Sequence, residues 1–411
     1  ARLDIIKKLE KYHVNVQTIP EFADILSGKA RIENIRDVEI DDLLGRDSVQ
    51  PMQELMDGSI FNKVVLITGA GGSIGGELCR QIIELKPKKM ILLDHNEFSL
   101  YSIERELSEK NIDQVELVAL LGSVQNSRLL DSVMALNEVQ TIYHAAAYKH
   151  VPLVESNCVE GMKNNVFGTL LCAEAAIKAN VELFVLVSTD KAVRPTNVMG
   201  ASKRLAELIL QSLAQKQEQP RFVMVRFGNV LGSSGSVVPL FRKQIKEGGP
   251  VTVTHPDIIR YFMTIREAAQ LVIQAGTMGH GGDVFVLDMG EPVKIVDLAK
   301  RMISLSGLTV RDEHNRSGDI GITYTGLRPG EKLFEELLIG DNVSPTDHSR
   351  IFRAMEQFIS WKEMELFLAR LAAACERNNG ELIKSLLLDV PTGYLVDAPE
   401  LPDTSKVLRT G

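Results

Sequence analysis

The sequence has little that would suit it to nucleic acid, a membrane or an oxidising compartment. Its 46 lysines and arginines are outnumbered by 54 aspartates and glutamates, leaving a net charge of −8. That balance argues against a general nucleic-acid surface, and a phosphate-bearing small molecule would have to be met by a local basic pocket. The four cysteines, Cys79, Cys158, Cys172 and Cys375, are scattered without metal-type spacing, which points to a reduced, cytoplasmic setting. No apolar run approaches the roughly 18–20 residues needed to span a bilayer, and no signal peptide precedes the first charged segment. This chain is therefore expected to require no membrane contact. It starts at Ala1 without an initiator methionine, and is expected to be part of a longer protein.

What is present is a chain of 411 residues, enough for two or three compact units at ~150 residues each. Residues 1–60 show no strand-helix rhythm; Ile19–Gly28 reads as a short helix closed by glycine, and the segment as a lead-in from an upstream domain. From Lys63 short apolar runs alternate with amphipathic helices: Val64–Thr68, Met90–Asp94, Val115–Leu121, Thr141–Ala147, Leu183–Thr189 and Phe222–Phe227. Strands of that composition, separated by helices, are what a parallel sheet covered on both faces requires. The expected fold class is α/β, a doubly wound, Rossmann-like domain over 61–228, with a smaller α/β domain for substrate over 229–345 and a helical tail over 346–411. In the second domain a strand is expected at Val284–Asp288, a helix at Ile295–Ser304, a strand at Ile322–Thr325, and a further helix after Arg328-Pro329-Gly330-Glu331-Lys332.

Strand Val64–Thr68 runs into Gly69-Ala70-Gly71-Gly72-Ser73-Ile74-Gly75, and a helix opens directly behind it. Glycines there let backbone N–H groups approach a pyrophosphate at the positive end of a helix. The second strand ends at Asp94, whose carboxylate can accept from both hydroxyls of an adenosine ribose and repels a 2′-phosphate, so NAD is favoured over NADP. Gly122-Ser123-Val124 closes the third strand near the adenine, and Ala145, Ala146 and Ala147 leave room for a flat cofactor. The neighbouring His144 and His150 have no carboxylate or cysteine at ligand spacing, so no metal is expected. Lys149 reads either as a solvated loop lysine or as a substrate-pocket cation. After the fifth strand come Ser188-Thr189-Asp190-Lys191 and then a helix on which Met199 and Lys203 stand one turn apart. A thioether exchanges no proton, so acid-base chemistry must come from elsewhere, and Asp190 with Lys191 is the nearest supplier.

These motifs together, with the Arg-Pro-Gly-Glu-Lys turn at 328–332, resemble the extended short-chain dehydrogenase/reductases over roughly residues 40–350. Within that family they are similar to the UDP-N-acetylglucosamine 4,6-dehydratases, and most of all to the large membrane-anchored branch in which methionine replaces the usual tyrosine. The stretch Leu43-Leu44-Gly45-Arg46-Asp47 agrees with that branch. The resemblance implies a soluble catalytic part of a protein anchored at the cytoplasmic side of a bacterial inner membrane, a homo-oligomer serving surface-polysaccharide or glycan synthesis. It implies tightly bound NAD, with Lys203 on the nicotinamide ribose, and a UDP-N-acetylhexosamine substrate. For that substrate the implied residues are Lys149, Asn229, Arg260, Arg328 and Glu331, the two arginines suiting a diphosphate.

The implied chemistry is an internal redox dehydration. Hydride leaves C4 of the sugar, Lys191 removes the C5 proton, Asp190 protonates the departing C6 hydroxyl, and hydride returns to C6. For the C4 hydroxyl proton the sequence leaves Asp190, Thr189 through water, and water held by Lys203 open; Met199 is expected only to wall the site. Two rivals remain: a UDP-hexose 4-epimerase on the same scaffold, and a catalytically inactive NAD-binding regulator.

Overall fold

The computed structural model describes residues 49–110, 115–233, 235–336 and 343–395, with a few positions between 8 and 37. The expected helix at 19–28 and the Leu43–Asp47 stretch lie outside the described residues. Two units divide the chain, and they are not consecutive blocks. The larger contains 51–227, 270–288 and the chain from 328 onward; the smaller contains 228–269 and 289–327 with the residues before 51.

The larger unit is built on strands β1 (Val64–Thr68), β2 (Lys89–Asp94), β3 (Glu116–Leu121), β4 (Thr141–His144), β5 (Leu183–Val187), β6 (Arg221–Arg226), β7 (Asp283–Leu287), β8 (Val343–Pro345) and β9 (Ile351–Ala354). Their order across the sheet is β8-β9-β7-β6-β5-β4-β1-β2-β3. Strands β1 to β7 pair in parallel, and β9 joins β7 and β8 antiparallel. All five residues of β1 are buried, the pattern of a strand covered on both faces. Because β7 hydrogen-bonds to β6, the chain must return from the smaller unit, which is why a simple cut at 228 fails to describe the division.

The strand order reverses between β1 and β4, and their register places Thr68 beside His144. A crevice at the carboxyl ends of the strands is expected at such a switch point. Helices α1 (Ser73–Glu84), α2 (Glu97–Lys110), α3 (Ser127–Asn137), α4 (Gly168–Lys178) and α5 (Val198–Ala214) follow the strands. Every residue of α5 from Val198 to Leu213 is buried. Its Leu205, Leu208 and Ile209 share one hydrophobic core with Phe184 and Phe222 of the sheet and with Met364, Phe367 and Leu371 of the helix α6 (Trp361–Glu376). Each such side chain contributes about 1.5–3 kcal/mol on burial, so α6 belongs to the core of this unit and is no detached tail.

Two strands are shorter than the apolar runs suggest. β4 stops at His144, and Ala145 to Ala147 leave the sheet with the Ala145 amide donating to the Thr68 carbonyl at 3.1 Å. β5 stops at Val187, where a 3₁₀ turn over Asp190–Ala192 begins the link to α5. The helix expected directly after Lys332 is absent from 333–336, where 333 and 334 form a bend and 335 and 336 are irregular; 337–342 lie outside the described residues. In the smaller unit, Val251–Val253, Ile320–Tyr324 and Val310–Arg311 form a parallel sheet, Ile259–Arg260 pairs with Val293–Lys294, and Asn229–Val230 pairs with Phe262–Met263. No helix among the described residues is long and apolar enough to cross a membrane.

Candidate active site

Gly69 adopts φ +68°, and a Cβ there would meet the Ala146 nitrogen at 2.8 Å. At Gly75 a Cβ would stand 1.9 Å from the Gly69 carbonyl oxygen. These two positions admit only glycine, because the obstructing atoms are backbone. Gly72 forms the N-cap of α1 in extended conformation, so Ser73, Ile74 and Gly75 make up the first turn of the helix, at its positive end. Asp94, at the end of β2, is buried; one carboxylate oxygen accepts from the Gly71 amide at 2.9 Å and the other from the Asn96 amide at 2.8 Å. It therefore braces the loop as well as facing it. Beyond β3, the Ser123 hydroxyl accepts from the Gln125 amide, while Val124 is buried in the core against Gly168. Only the backbone of Val124 is left to meet a ligand, because its side chain is committed to packing.

His144 is fully buried between Thr68, which shares a hydrogen bond with Nδ1 at 2.8 Å, and Thr169, which does so with Nε2 at 3.1 Å. Burial first and Lys203 second push its pKa down to about 3, so it is a neutral structural residue. No cluster of metal ligands occurs among the described residues. Ala145, Ala146 and Ala147 are half-buried at the edge of the crevice. Lys149 is exposed, and partial desolvation lowers its pKa. The loop is clamped from below by Asn165: its side-chain oxygen accepts from the Tyr148 amide at 2.8 Å, and its nitrogen donates to the Tyr148 carbonyl and to Ser202 Oγ. Asn165 sits in a π-helical turn, Lys163–Phe167, a distortion that is common where a helix serves a site. Sequence reading missed it, although two adjacent buried asparagines inside an apolar helix were a signal.

At the end of β5, Thr189 caps the 3₁₀ turn, and its hydroxyl donates to Asp190 Oδ1 at 2.9 Å. Lys191 Nζ donates to the same oxygen at 3.0 Å and stands 3.5 Å from Glu335 Oε1. The Asp190 side chain is wholly buried, and its Oδ2 has no hydrogen-bond partner in the protein. A buried carboxylate oxygen left unsatisfied costs several kilocalories per mole unless something fills it. Asn197 then starts α5 by accepting from the Gly200 amide at 2.7 Å, a cap worth about 1 kcal/mol. Gly200 is required because a Cβ would lie 2.2 Å from the Lys191 carbonyl oxygen. One turn into α5, Lys203 is buried and donates to the Val187 carbonyl at 2.7 Å. Burial pushes its pKa down to about 8, against the opposing pull of Glu207. Met199 is 3% exposed and part of the hydrophobic core, so packing is its larger role.

A buried quartet fixes this region. Arg226 grips Glu207 with Nε at 2.8 Å and Nη2 at 2.6 Å, Arg204 reaches the same carboxylate at 3.0 Å, and both arginines pair with Glu356. Burial would raise Glu207, yet Arg226 and Arg204 hold it down at about 2. Glu207 also accepts from Ser188 Oγ at 2.6 Å, tying the quartet to the end of β5. A cavity of about 350 Å³ lies against Ala192, Arg194, Arg204, Arg226, Glu356 and Gly393. Its arginines are already paired with carboxylates, and it is separate from the glycine loop.

The turn at 328–332 is closed by its own side chain. The Glu331 carboxylate accepts from the Arg328 amide at 3.1 Å and so closes its own turn; the Arg328 side chain is exposed. Asn229 and Arg260 belong to the smaller unit, where the Asn229 amide donates to the Tyr261 carbonyl and the buried Arg260 donates to the Ile259 carbonyl.

Residues 65–356 match the family model described as polysaccharide biosynthesis protein. The chain is 49% identical over 372 residues to the capsular polysaccharide biosynthesis protein CapD of Staphylococcus aureus, covering 90% of this chain and 61% of that one. It is 51% identical over 334 residues to EpsC of Bacillus subtilis, covering 81% of this chain and 54% of that one. It thus spans little more than half the length of these relatives. Among solved structures, Pen from Bacillus thuringiensis superposes with a TM-score of 0.65 at 32% identity, covering 76% of this chain and 98% of that one. With a glycine loop at the switch point, a lysine one turn into α5 and these relatives, the chain belongs to the polysaccharide biosynthesis protein family, within the extended short-chain dehydrogenase/reductases.

Proposed function

We propose that the protein is an NAD-dependent UDP-N-acetylglucosamine 4,6-dehydratase, producing a UDP-4-keto-6-deoxy-hexosamine for surface polysaccharide or glycan synthesis. The observation that carries this reading is the wholly buried Asp190 with one carboxylate oxygen unsatisfied and the other on Lys191 at 3.0 Å. A binding protein has no need of such a pair, and an epimerase needs neither member. The residues also suit the dinucleotide: backbone packed against Gly69 and Gly75 forces the tight turn between β1 and α1, and Asp94 at the end of β2 faces that turn. On this reading Gly69, Gly71, Gly72, Ser73, Ile74 and Gly75 hold the pyrophosphate. Asp94 holds the adenosine ribose, Ser123 and Val124 border the adenine, Ala145 to Ala147 line the crevice, and Lys203 holds the nicotinamide ribose. Held there, the nucleotide would supply the redox chemistry at C4 and C6 of the sugar.

The rest is proton traffic among the protein's own residues. As C4 is oxidised, the Asp190 carboxylate takes the C4 hydroxyl proton. Neutral Lys191 then removes the C5 proton, the C5 electron pair forms the C5–C6 double bond, and the C6 hydroxyl leaves as water with the proton held by Asp190. After reduction at C6, Lys191 returns a proton to C5. Both groups end as they began, so assigning the C4 step to Asp190 closes the proton count without a tyrosine. Thr189, which donates to Asp190 Oδ1, steadies the carboxylate. Arg260, Arg328 and Lys149 are assigned to the nucleotide half of the substrate by family resemblance, as are Asn229 and Glu331. On the same resemblance, the full-length protein is a homo-oligomer anchored at the inner membrane with this part on the cytoplasmic side; the unmatched length of CapD and EpsC leaves room for an anchor.

Lys191→Met should lower turnover by at least ~10²-fold, the loss typical of a missing general base, and stop solvent deuterium entering C5. Asp190→Asn should block turnover as well, with NAD binding retained in both. Near-normal dehydration by both variants would overturn the proposal.

A further inference from the structure

The Arg-Pro-Gly-Glu-Lys turn does more for the site than present an arginine. The Gly330 carbonyl accepts from Thr196 Oγ1 at 3.1 Å and from Asn197 Nδ2 at 3.0 Å. Gly330 has φ +74°, and a Cβ there would lie 2.8 Å from Asn197 Cβ. Two residues on, Lys332 Nζ donates to the Val193 carbonyl at 3.1 Å. The turn is thereby fastened at two points to the link between Lys191 and α5. Beyond the second fastening, Glu335 is buried with Oε1 3.5 Å from Lys191 Nζ. Lys191 is approached by a carboxylate from its own turn and by another from a segment 144 residues away, 335 − 191.

We propose that Glu335 is a positioning residue for Lys191, aiming its amino group and stabilising the positive charge that develops on Nζ as the C5 proton is taken. The inference rests on the dehydratase reading above, and it deepens the role of Lys191. In the elimination the C5–H bond breaks and an N–H bond forms, so neutral Lys191 becomes an ammonium while Asp190 gives up its proton to the leaving hydroxyl. Asp190 regains a negative charge only as that hydroxyl departs. Glu335 carries its charge throughout, as the third member of an acid-base triad does for its base. The charged groups around this carboxylate in the larger unit are Asp190, Lys191, Lys332, Arg194 and Glu336, with Lys332 and Arg194 both paired to Glu336.

The test is steady-state kinetics with UDP-N-acetylglucosamine across pH, on Glu335→Gln, Glu335→Asp and Lys191→Met in parallel. Glu335→Gln keeps the size and removes the charge. Its plateau kcat should fall by about tenfold or more, with KM and NAD affinity within about threefold, and deuterium entry at C5 should fall in step. The rise of its kcat with pH should move to lower pH, because Lys191 loses its proton more easily without the neighbouring charge. A residue that merely holds the loop would not move that limb. Glu335→Asp should recover part of the loss, and it carries the test alone if the glutamine variant does not fold, with kcat reduced and KM held. If Lys191→Met is crippled while Glu335→Gln matches the unmodified protein in plateau and pH limb, this proposal is wrong and the dehydratase reading stands. If Lys191→Met dehydrates normally, both are wrong.

Discussion

Replacing Asp94 by alanine would disturb two things at once, and the structure separates them. The carboxylate is 7% exposed and accepts from the Gly71 amide at 2.9 Å and the Asn96 amide at 2.8 Å. Hydrogen bonds to a charged group are worth about 1.5–3 kcal/mol each. Water can reach the Asn96 side more readily than the loop side, so a net loss of about 3 kcal/mol of folding stability is expected, read by urea denaturation. The second effect is on cofactor choice: without the carboxylate, the preference for NAD over NADP should narrow by ~10-fold, about 1.4 kcal/mol, in calorimetric titrations of the two nucleotides. Asp94→Asn retains one acceptor but turns an N–H donor toward a backbone amide, so it should be little better than alanine in stability. Equal binding of NADP by the unmodified protein would refute the ribose assignment. A stability loss below about 0.5 kcal/mol would refute the bracing role.

Met199→Leu should keep substantial turnover, since the thioether moves no proton. Met199→Ala should cost about 2–5 kcal/mol in chemical denaturation because the side chain is packed in the core; a collapse of activity in a well-folded leucine variant would show a role beyond packing. Lys203 is held near a pKa of about 8 by burial, so it is an ammonium below that pH and loses its charge as pH rises through it. NAD affinity should therefore weaken several-fold between pH 7 and pH 9, and Lys203→Arg, whose charge persists, should flatten the dependence; an affinity constant over that range would remove Lys203 from the cofactor site.

The parallel sheet was legible because a strand buried on both faces must be written in Val, Ile and Leu, and β1 begins and ends where its apolar run does. The glycine loop was legible for a related reason: backbone obstructs any side chain at Gly69 and Gly75, so composition there is dictated locally. Strand ends were less legible. Ala145 to Ala147 are as apolar as β4 but lie outside the sheet, and apolarity alone does not separate burial in a sheet from burial beside a crevice. Long-range partners were the least visible. Glu335 and Glu356 carry no local signal, because their meaning comes from Lys191, Arg204 and Arg226, which the fold brings to them across 130 residues or more of chain. The nonconsecutive division into units was hidden for the same reason, since β7 reads as a strand but its pairing with β6 is a tertiary fact.

The most direct measurement is to incubate the purified protein and NAD with UDP-N-acetylglucosamine in D₂O and to weigh the nucleotide sugar by mass spectrometry, locating deuterium by NMR. Dehydration predicts a product that has lost one water and gained one deuterium, located at C5, with no net consumption of NAD. An isobaric product would identify an epimerase, and an unchanged sugar in the presence of bound NAD would leave only a binding protein; either result contradicts the assignment of Asp190 and Lys191 to elimination.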